Sequence, residues 1–339
     1  MTPACLTAVV VHRRRPELCV ETGRLLAAQG VDRLVVVDNG SPPADLATIR
    51  RGLPAAELVE LAANNGFGPA ANAGLRRWLA GGAEAGEWVL VCPHDARPAG
   101  DCVARLVTTT AARPRAGLAS AEYGGAGRLA LPVVDPYFGG ILVPSDRRPG
   151  WEDAGYPHGT LLLARRGCLE EIGLFDERYF AYCEEADLGE RARRAGWEVG
   201  VVWGAVVANP GMSSAPGVAE YLMLRNSILL VRRHFGRYRA AVRFLMAVWV
   251  TARGAVRPGR RTPFWDLPAR LLALRDALLG RSGPPPRSLG QQVLLPGPEA
   301  GVAGAARALS LAGAVGEEPE GVADVEVVGP QGHVPGVGA

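Results

Sequence analysis

Acidic residues suited to chemistry stand in two places along the chain. Phe180-Ala181-Tyr182-Cys183-Glu184-Glu185-Ala186-Asp187-Leu188 puts three carboxylates where a helix is expected to begin. The positive end of the helix dipole favours their ionised form there and would keep one available as a general base near neutral pH. Glu184 and Asp187 are three residues apart and share a face, with Glu185 rotated away. The plain alternative is acidic decoration of a helix start, with Asp187 paired to Arg191. The second place is Pro93-His94-Asp95. A carboxylate there would hold Mg²⁺ or Mn²⁺ against a diphosphate, since hard cations bind through one or two carboxylates plus phosphates. Such a cation neutralises charge on a departing nucleotide diphosphate. A His-Asp pair at a strand end is also an ordinary structural feature.

Two polar clusters accompany the acids. Val37-Asp38-Asn39-Gly40-Ser41 offers a carboxylate and an amide to a base and ribose, or is simply an Asx turn. Asn65-Gly66-Phe67-Gly68, leading to Asn72 and Gly74, would let backbone approach a nucleotide at a helix N-terminus, or is a loop before a helix.

These residues need a scaffold that ends several strands at one rim. Leu6 to Val11, Leu34 to Val37, Glu57 to Leu61 and Trp88 to Val91 read as short buried strands, and helical stretches such as Ala70 to Leu79 lie between strands. That alternation predicts βαβ units and a mainly parallel sheet with helices on both faces. Ligands then sit outside the carboxyl ends of the strands, where all four clusters fall. From Ala116 to Pro149 the Gly and Pro content predicts loops and irregular strands over the sheet edge. Order is expected again in a strand at Gly159 to Arg165, helices at Cys168 to Ile172 and Glu184 to Ala195, a last strand at Glu198 to Val202, and long helical patterning from Tyr221 to Val256. Beyond about Gly283 the composition turns to Gly, Pro, Ala and Val, as in disordered segments.

The 339 residues, 48% hydrophobic and 21% charged, suffice for one large α/β domain with an appendage, and a net charge of +3 gives no general attraction to nucleic acid. Six scattered cysteines lack metal-ligand spacing and a disulfide framework, so reduced thiols in the cytosol are expected. No export signal and no spanning helix is read. Charge concentrates locally: Arg225 to Arg261 holds ten arginines and no Asp or Glu, interleaved with apolar residues such as Leu229, Phe244 and Trp249. The segment 222–261 suits an anionic membrane surface, or equally helices whose arginines snorkel to water.

Taken together and in order, the motifs resemble the inverting family 2 glycosyltransferases, above all their bacterial rhamnosyltransferase-like branch, over about residues 6 to 237. The markers are Val11 through Leu18, Val37 to Ser41, the Asn65 to Gly68 loop with Asn72, Pro93 to Pro98, Gly173-Leu174-Phe175-Asp176-Glu177, Glu184 to Leu188 ending at Gly196-Trp197, and Arg225-Asn226. The resemblance implies a GT-A fold: a Rossmann-like, mainly parallel sheet flanked by helices in a catalytic domain at 1–212, followed by a basic helical extension at 213–282 and a disordered tail at 283–339. It implies nucleotide-sugar contacts from His12, Arg13, Asp38, Asn39, Asn65, Gly66, Phe67, Asn72, His94 and Asp95. Asp95 would hold Mg²⁺ or Mn²⁺, and the base would come from Glu184-Glu185, chiefly Glu185, with Asp187 beside it. The donor would be a dTDP- or UDP-sugar and the acceptor a hydroxyl on a lipid-linked carrier or small natural product, with inversion, on the cytoplasmic side of a membrane. The chain departs from the family pattern in Glu185 for Asp, in Pro93-His94 for an acid or Asn, and in Asn209 for a His. A dinucleotide oxidoreductase is disfavoured because His12-Arg13-Arg14-Arg15-Pro16 lacks the glycines that a pyrophosphate turn needs. A non-catalytic, membrane-associated sugar-nucleotide-binding protein is the rival.

Overall fold

Consecutive valines of the first two strands serve opposite faces of a sheet. Val9, Val35 and Val37 pack into one apolar layer with Leu75 and Trp78, while Val10 and Val36 pack into the other with Leu26 and Ile49. Strands buried on both faces read as unbroken apolar runs, which is why they are legible as strands despite lacking alternation. In the computed structural model, residues 5–82, 86–124, 130–145, 149–209, 215–262 and 264–290 are described. The elements run β1 (Leu6–His12), α1 (Pro16–Ala28), β2 (Arg33–Asn39), α2 (Pro43–Gly52), β3 (Glu57–Leu61), α3 (Phe67–Ala80), β4 (Trp88–Pro93), β5 (Arg97–Pro98), α4 (Cys102–Ala111) and β6 (Ala116–Tyr123). They continue with β7 (Ala130–Asp135), β8 (Gly139–Pro144), β9 (Gly150–Asp153), β10 (Leu162–Arg165), α5 (Arg166–Ile172), α6 (Glu184–Arg194), β11 (Glu198–Ala208), α7 (Pro216–Val256) and α8 (Leu267–Leu278).

The sheet order is β3-β2-β1-β4-β10-β6-β11-β5, with β9 also on β11 and β7-β8 forming a separate hairpin. β3, β2, β1 and β4 are parallel, so their carboxyl ends form one rim, and β10 is inserted antiparallel between β4 and β6. This is the mostly parallel sheet flanked by helices that the alternation of elements implied. α3 lies close on the sheet because Gly74 has no side chain: a Cβ there would overlap Val9 and come within 2.9 Å of a Val37 methyl.

The stretch expected to be loops over the edge corrects the sequence reading in part. Ala116–Tyr123 is a buried central strand hydrogen-bonded on both sides, to β10 and β11. Its Ala-Gly-Leu-Ala-Ser-Ala sequence lacks the β-branched residues that announce a strand. Small residues are needed there, since a Cβ at Gly117 would meet the Cys168 sulfur at 2.7 Å. β11 also runs on to Ala208, past the expected end at Val202.

The long C-terminal helix is interrupted at Gly236, whose φ of 90° and ψ of 173° are not helical. Its first part and α8 share an apolar core, including Tyr221, Leu222, Ile228, Ala273 and Leu274, against which Phe180, Ala181 and Tyr182 pack. Helices that grip the segment leading into α6 thus belong to the structure of the site. Among the described residues no helix is long and apolar enough to cross a membrane. The tail expected from 283 begins instead with ordered chain, since the Gly283 carbonyl accepts from Arg225 (2.7 Å) and Leu289, in a short helix at Arg287–Gly290, is buried in the core shared by α7 and α8; from residue 291 it lies outside the described residues.

Candidate active site

Parallel register brings the first polar residues together. His12 is paired in register with Asp38 across β1 and β2, and His12 Nδ1 lies 2.9 Å from Asp38 Oδ1. The Arg15 amide donates to His12 Nε2 (3.1 Å), so that nitrogen is an acceptor and Nδ1 carries the proton toward Asp38. Burial opposes ionisation of Asp38, but hydrogen bonds from His12 and from the Ser41 amide and hydroxyl outweigh it and hold the carboxyl below its usual range. Arg13, half-buried beside them, has its guanidinium pKa lowered by burial and by Arg14.

On β4 the chain turns at His94 and Asp95, fastened from α1 by Thr22, whose hydroxyl lies 2.7 Å from the His94 carbonyl. The His94 and His12 rings meet edge to face at 5.6 Å. Burial, with His12 nearby, drives the His94 pKa down to about 4, so the ring is neutral; Nδ1 faces the Val11 carbonyl at 3.3 Å and Nε2 is buried without a partner. Asp95, also buried, accepts from Asn209 Nδ2 on Oδ1 (3.1 Å), while Oδ2 is left unpartnered. Burial raises its pKa.

The glycine-rich loop is shaped by Asn39. Its side-chain amide donates to Asn64 Oδ1 and to the Gly66 carbonyl (both 3.0 Å), and its oxygen accepts from the Asn65 amide (2.8 Å). Gly66 has φ 93° and sits against Phe180, where any side chain would overlap the carbonyl oxygen that accepts from the Phe67 amide (2.8 Å). Gly66 therefore has two reasons to be glycine. Asn65 is exposed on this loop.

Beyond Phe180 the backbone enters α6 through Tyr182 and Cys183, both left-handed at φ 66° and 74°. Two adjacent non-glycine residues in that region are strained, and strain of this kind gathers at functional sites. Asn226 on α7 holds the turn, donating to the carbonyls of Ala181 (2.8 Å) and Tyr182 (2.9 Å), and Arg225 Nε in turn donates to Asn226 Oδ1. Glu184 and Glu185 follow. Glu184 is buried with Oε2 unpartnered, and burial together with Glu185 raises its pKa well above the usual range. Burial raises the half-buried Glu185 to about 7. Its Oε1 lies over Gly159, where a Cβ would overlap it.

Most of the expected residues fall along a closed chain of contacts. Asp95 touches Asn209, whose carbonyl lies 3.4 Å from the Tyr123 hydroxyl, and the Tyr123 ring is tilted at 5.1 Å against His158, which precedes Gly159 beneath Glu185. Glu184 borders Gly68, and the loop before it returns through Asn39 to Asp38, His12 and His94. Four of the buried polar atoms without protein partners, Arg13 Nε, His94 Nε2, Asp95 Oδ2 and Glu184 Oε2, belong to this rim. A surface groove between α1 and α2 lies elsewhere and is lined by none of them.

Two expectations change. Asn72 does not reach the rim: it exchanges hydrogen bonds with the Phe175 backbone (2.8 and 3.0 Å) and donates to Glu177, pinning α3 to the loop before α6. Asp187 is fully buried beneath α6, accepting from Arg191 Nε (2.8 Å), facing His234 Nε2 (2.8 Å) and lying 3.2 Å from Arg233 Nε. Both are frame residues, because their hydrogen-bonding capacity is already used within the protein. Asn226 is the functional-site residue whose role was missed, although a polar Arg-Asn pair within an apolar helical run signals buried groups that must find partners.

A cation can be tested against these atoms. Asp95 Oδ2, a buried carboxylate oxygen without a protein partner, suits a cation whose remaining ligands are phosphate oxygens. Among the described residues no group of three or more His, Cys, Asp or Glu forms an all-protein metal site.

No family profile matches the chain. In sequence it is 28% identical over 255 residues, 65% of this chain and 81% of the other, to N-acetylglucosaminyl-diphospho-decaprenol L-rhamnosyltransferase of two strains of Mycobacterium tuberculosis. In fold it is similar to GalNAc-T7 solved with UDP, GalNAc and Mn²⁺, with a TM-score of 0.56 at 14% identity, over 81% of this chain but only 54% of that one. It is also similar to the mannosyltransferase PcManGT of Pyrobaculum calidifontis solved with GDP-Man and Mn²⁺, with a TM-score of 0.52 at 20% identity, over 83% and 81% of the two chains.

Proposed function

We propose that this chain, which belongs by sequence and fold with the GT-A glycosyltransferases, moves a sugar from a nucleotide diphosphate to an acceptor hydroxyl with inversion, as family 2 enzymes do. The observation that carries the reading is the closed rim, in which buried polar atoms just past the ends of β1 and β4 and at the start of α6 lack protein partners. Unpaired buried polar atoms are costly, and a site that keeps them is built to pair them with something else.

Asp38, fixed by His12 and Ser41, would sit on the nucleoside side with the Asn65-Gly66-Phe67 loop, and the Arg13 guanidinium would meet the diphosphate. Asp95 and the diphosphate would hold Mg²⁺ or Mn²⁺, which neutralises charge on the leaving group. Glu185 takes the proton from the acceptor hydroxyl. That hydroxyl oxygen forms a bond to the anomeric carbon as the bond to the diphosphate oxygen breaks on the opposite face. Burial and the neighbouring Glu185 hold the Glu184 carboxyl well above its usual range, and Glu185 is the member of the pair assigned the role of base. The donor is a dTDP- or UDP-sugar, rhamnose being favoured by the mycobacterial relative, whose name also favours a lipid-linked acceptor in cell-surface glycan synthesis at the cytoplasmic face of a membrane.

A panel of nucleotide sugars, with and without Mn²⁺, tests this. Glu185→Gln should lower turnover at least about a hundredfold with donor affinity near normal. Donor binding with no turnover for any donor and acceptor would favour the rival, a sugar-nucleotide-binding partner protein.

A further inference from the structure

Past the break at Gly236, the outer side of α7 carries an uninterrupted apolar face. Tyr238, Leu245, Val248, Trp249 and Val256 are exposed, at 76, 65, 40, 50 and 80%. Their spacing, together with exposed Ala241 and Ala252, puts them on one side of the helix. The opposite side, with Ala240, Ala247, Thr251 and Gly254, is buried; Gly254 closes on Trp265, and Thr251 accepts from Arg270 of α8 (2.9 Å). The helix is therefore already seated on the protein, and its apolar stripe is left over after packing.

Arginines border the stripe. Arg237 and Arg239 flank its start, Arg253 stacks over the Trp249 ring at 5.1 Å, and exposed Arg257 and Arg260 follow its end. No Asp or Glu occurs from Arg225 to Arg261. Not every arginine there is available to a partner: Arg225 is buried against Tyr221 and Asn226, Arg233 pairs with Asp187, and Arg243 reaches Ser227. The broad basic segment expected from the sequence thus narrows to one face.

We propose that the stripe from Tyr238 to Val256, about 27 Å long at the helical rise, lies in the surface of an anionic membrane. The apolar side chains would enter the acyl boundary and the bordering arginines would meet lipid phosphates. A second copy of the chain is the poorer occupant, because a two-fold contact would set the arginine border against itself. The docking face would serve the lipid-linked acceptor proposed above and rests on that reading for its purpose, though not for its geometry. It is also tied to α6: His234 and Arg233, which hold Asp187, immediately precede the Gly236 break.

Co-sedimentation of the full chain with phosphatidylcholine vesicles, with and without a third of phosphatidylglycerol, tests the proposal. The chain should bind the anionic vesicles, bind neutral ones weakly, and lose affinity as salt rises. The double substitution Leu245→Ser and Trp249→Ser should lower partitioning roughly a hundredfold and leave turnover on a water-soluble acceptor unchanged. Absence of binding to anionic vesicles, or unaltered binding by the double variant, would overturn it. So would a vesicle-free dimer that the double variant makes monomeric. Failure of the transferase reading shows separately, as loss of turnover on soluble substrates with vesicle binding intact.

Discussion

At Glu185 a carboxyl lifted to about 7 by burial is poised for proton transfer near neutrality. Acting as a base it must be ionised, so kcat/KM should rise about tenfold per pH unit up to an inflection near 7 and flatten above it. A profile flat from pH 5 to 8 would remove Glu185 from that role. Stability should run the other way. Both carboxyls titrate higher in the folded chain than in the unfolded one, so their contribution is fully present at acidic pH and lost as pH rises through the folded values. Glu184→Gln should therefore raise the melting temperature at pH 8 and have little effect at pH 4, as measured by thermal unfolding.

Elements position these residues through a few polar fasteners. Asn226 ties α7 to the strained Tyr182-Cys183 turn, and α6 starts from that turn. Asn226→Ala removes the donor shared by the carbonyls of Ala181 and Tyr182 and should lower stability by about 1–3 kcal/mol. Turnover should fall by at least roughly tenfold through misplacement of Glu185, with donor affinity unchanged; wild-type turnover would show that the turn holds itself. Between α7 and α8 the buried Glu220 and Arg270 form an ion pair, with Glu220 also facing Thr262. Burial raises Glu220, and the pair with Arg270 only partly offsets this. Arg270→Ala strands that carboxylate and should cost about 3–5 kcal/mol in denaturant unfolding, whereas Glu220→Met with Arg270→Met should come close to wild type. Equal losses in the two variants would mean the pair is a net stabiliser.

Across the whole molecule, the rim draws on strands from the first hundred residues, on α6, and on α7 as a clamp, so donor binding couples to global stability. Nucleotide with Mn²⁺ at a hundred times its dissociation constant should stabilise the fold by about 2.7 kcal/mol. Asp95→Asn should abolish most of that shift. A full shift in Asp95→Asn, measured by thermal unfolding, would mean the diphosphate is held elsewhere.

The sequence determined the parallel part of the sheet, because strands buried on both faces must be apolar runs, and valines in β1 and β2 announce themselves that way. It also determined that Asp38, His94 and Asp95 stand at strand ends on one rim, since parallel strands end on the same side. It was silent about β6, whose alanines carry no strand signal and are dictated by neighbours such as Cys168. Only the tertiary structure separated acids of similar local sequence: Glu184 and Glu185 are left on the rim, while Asp187, two residues on, is consumed by Arg191, Arg233 and His234. Spacing along a helix fixes which side a residue faces, but what waits on that side comes from distant parts of the chain, and that difference separates a carboxyl left open from one used as a brace.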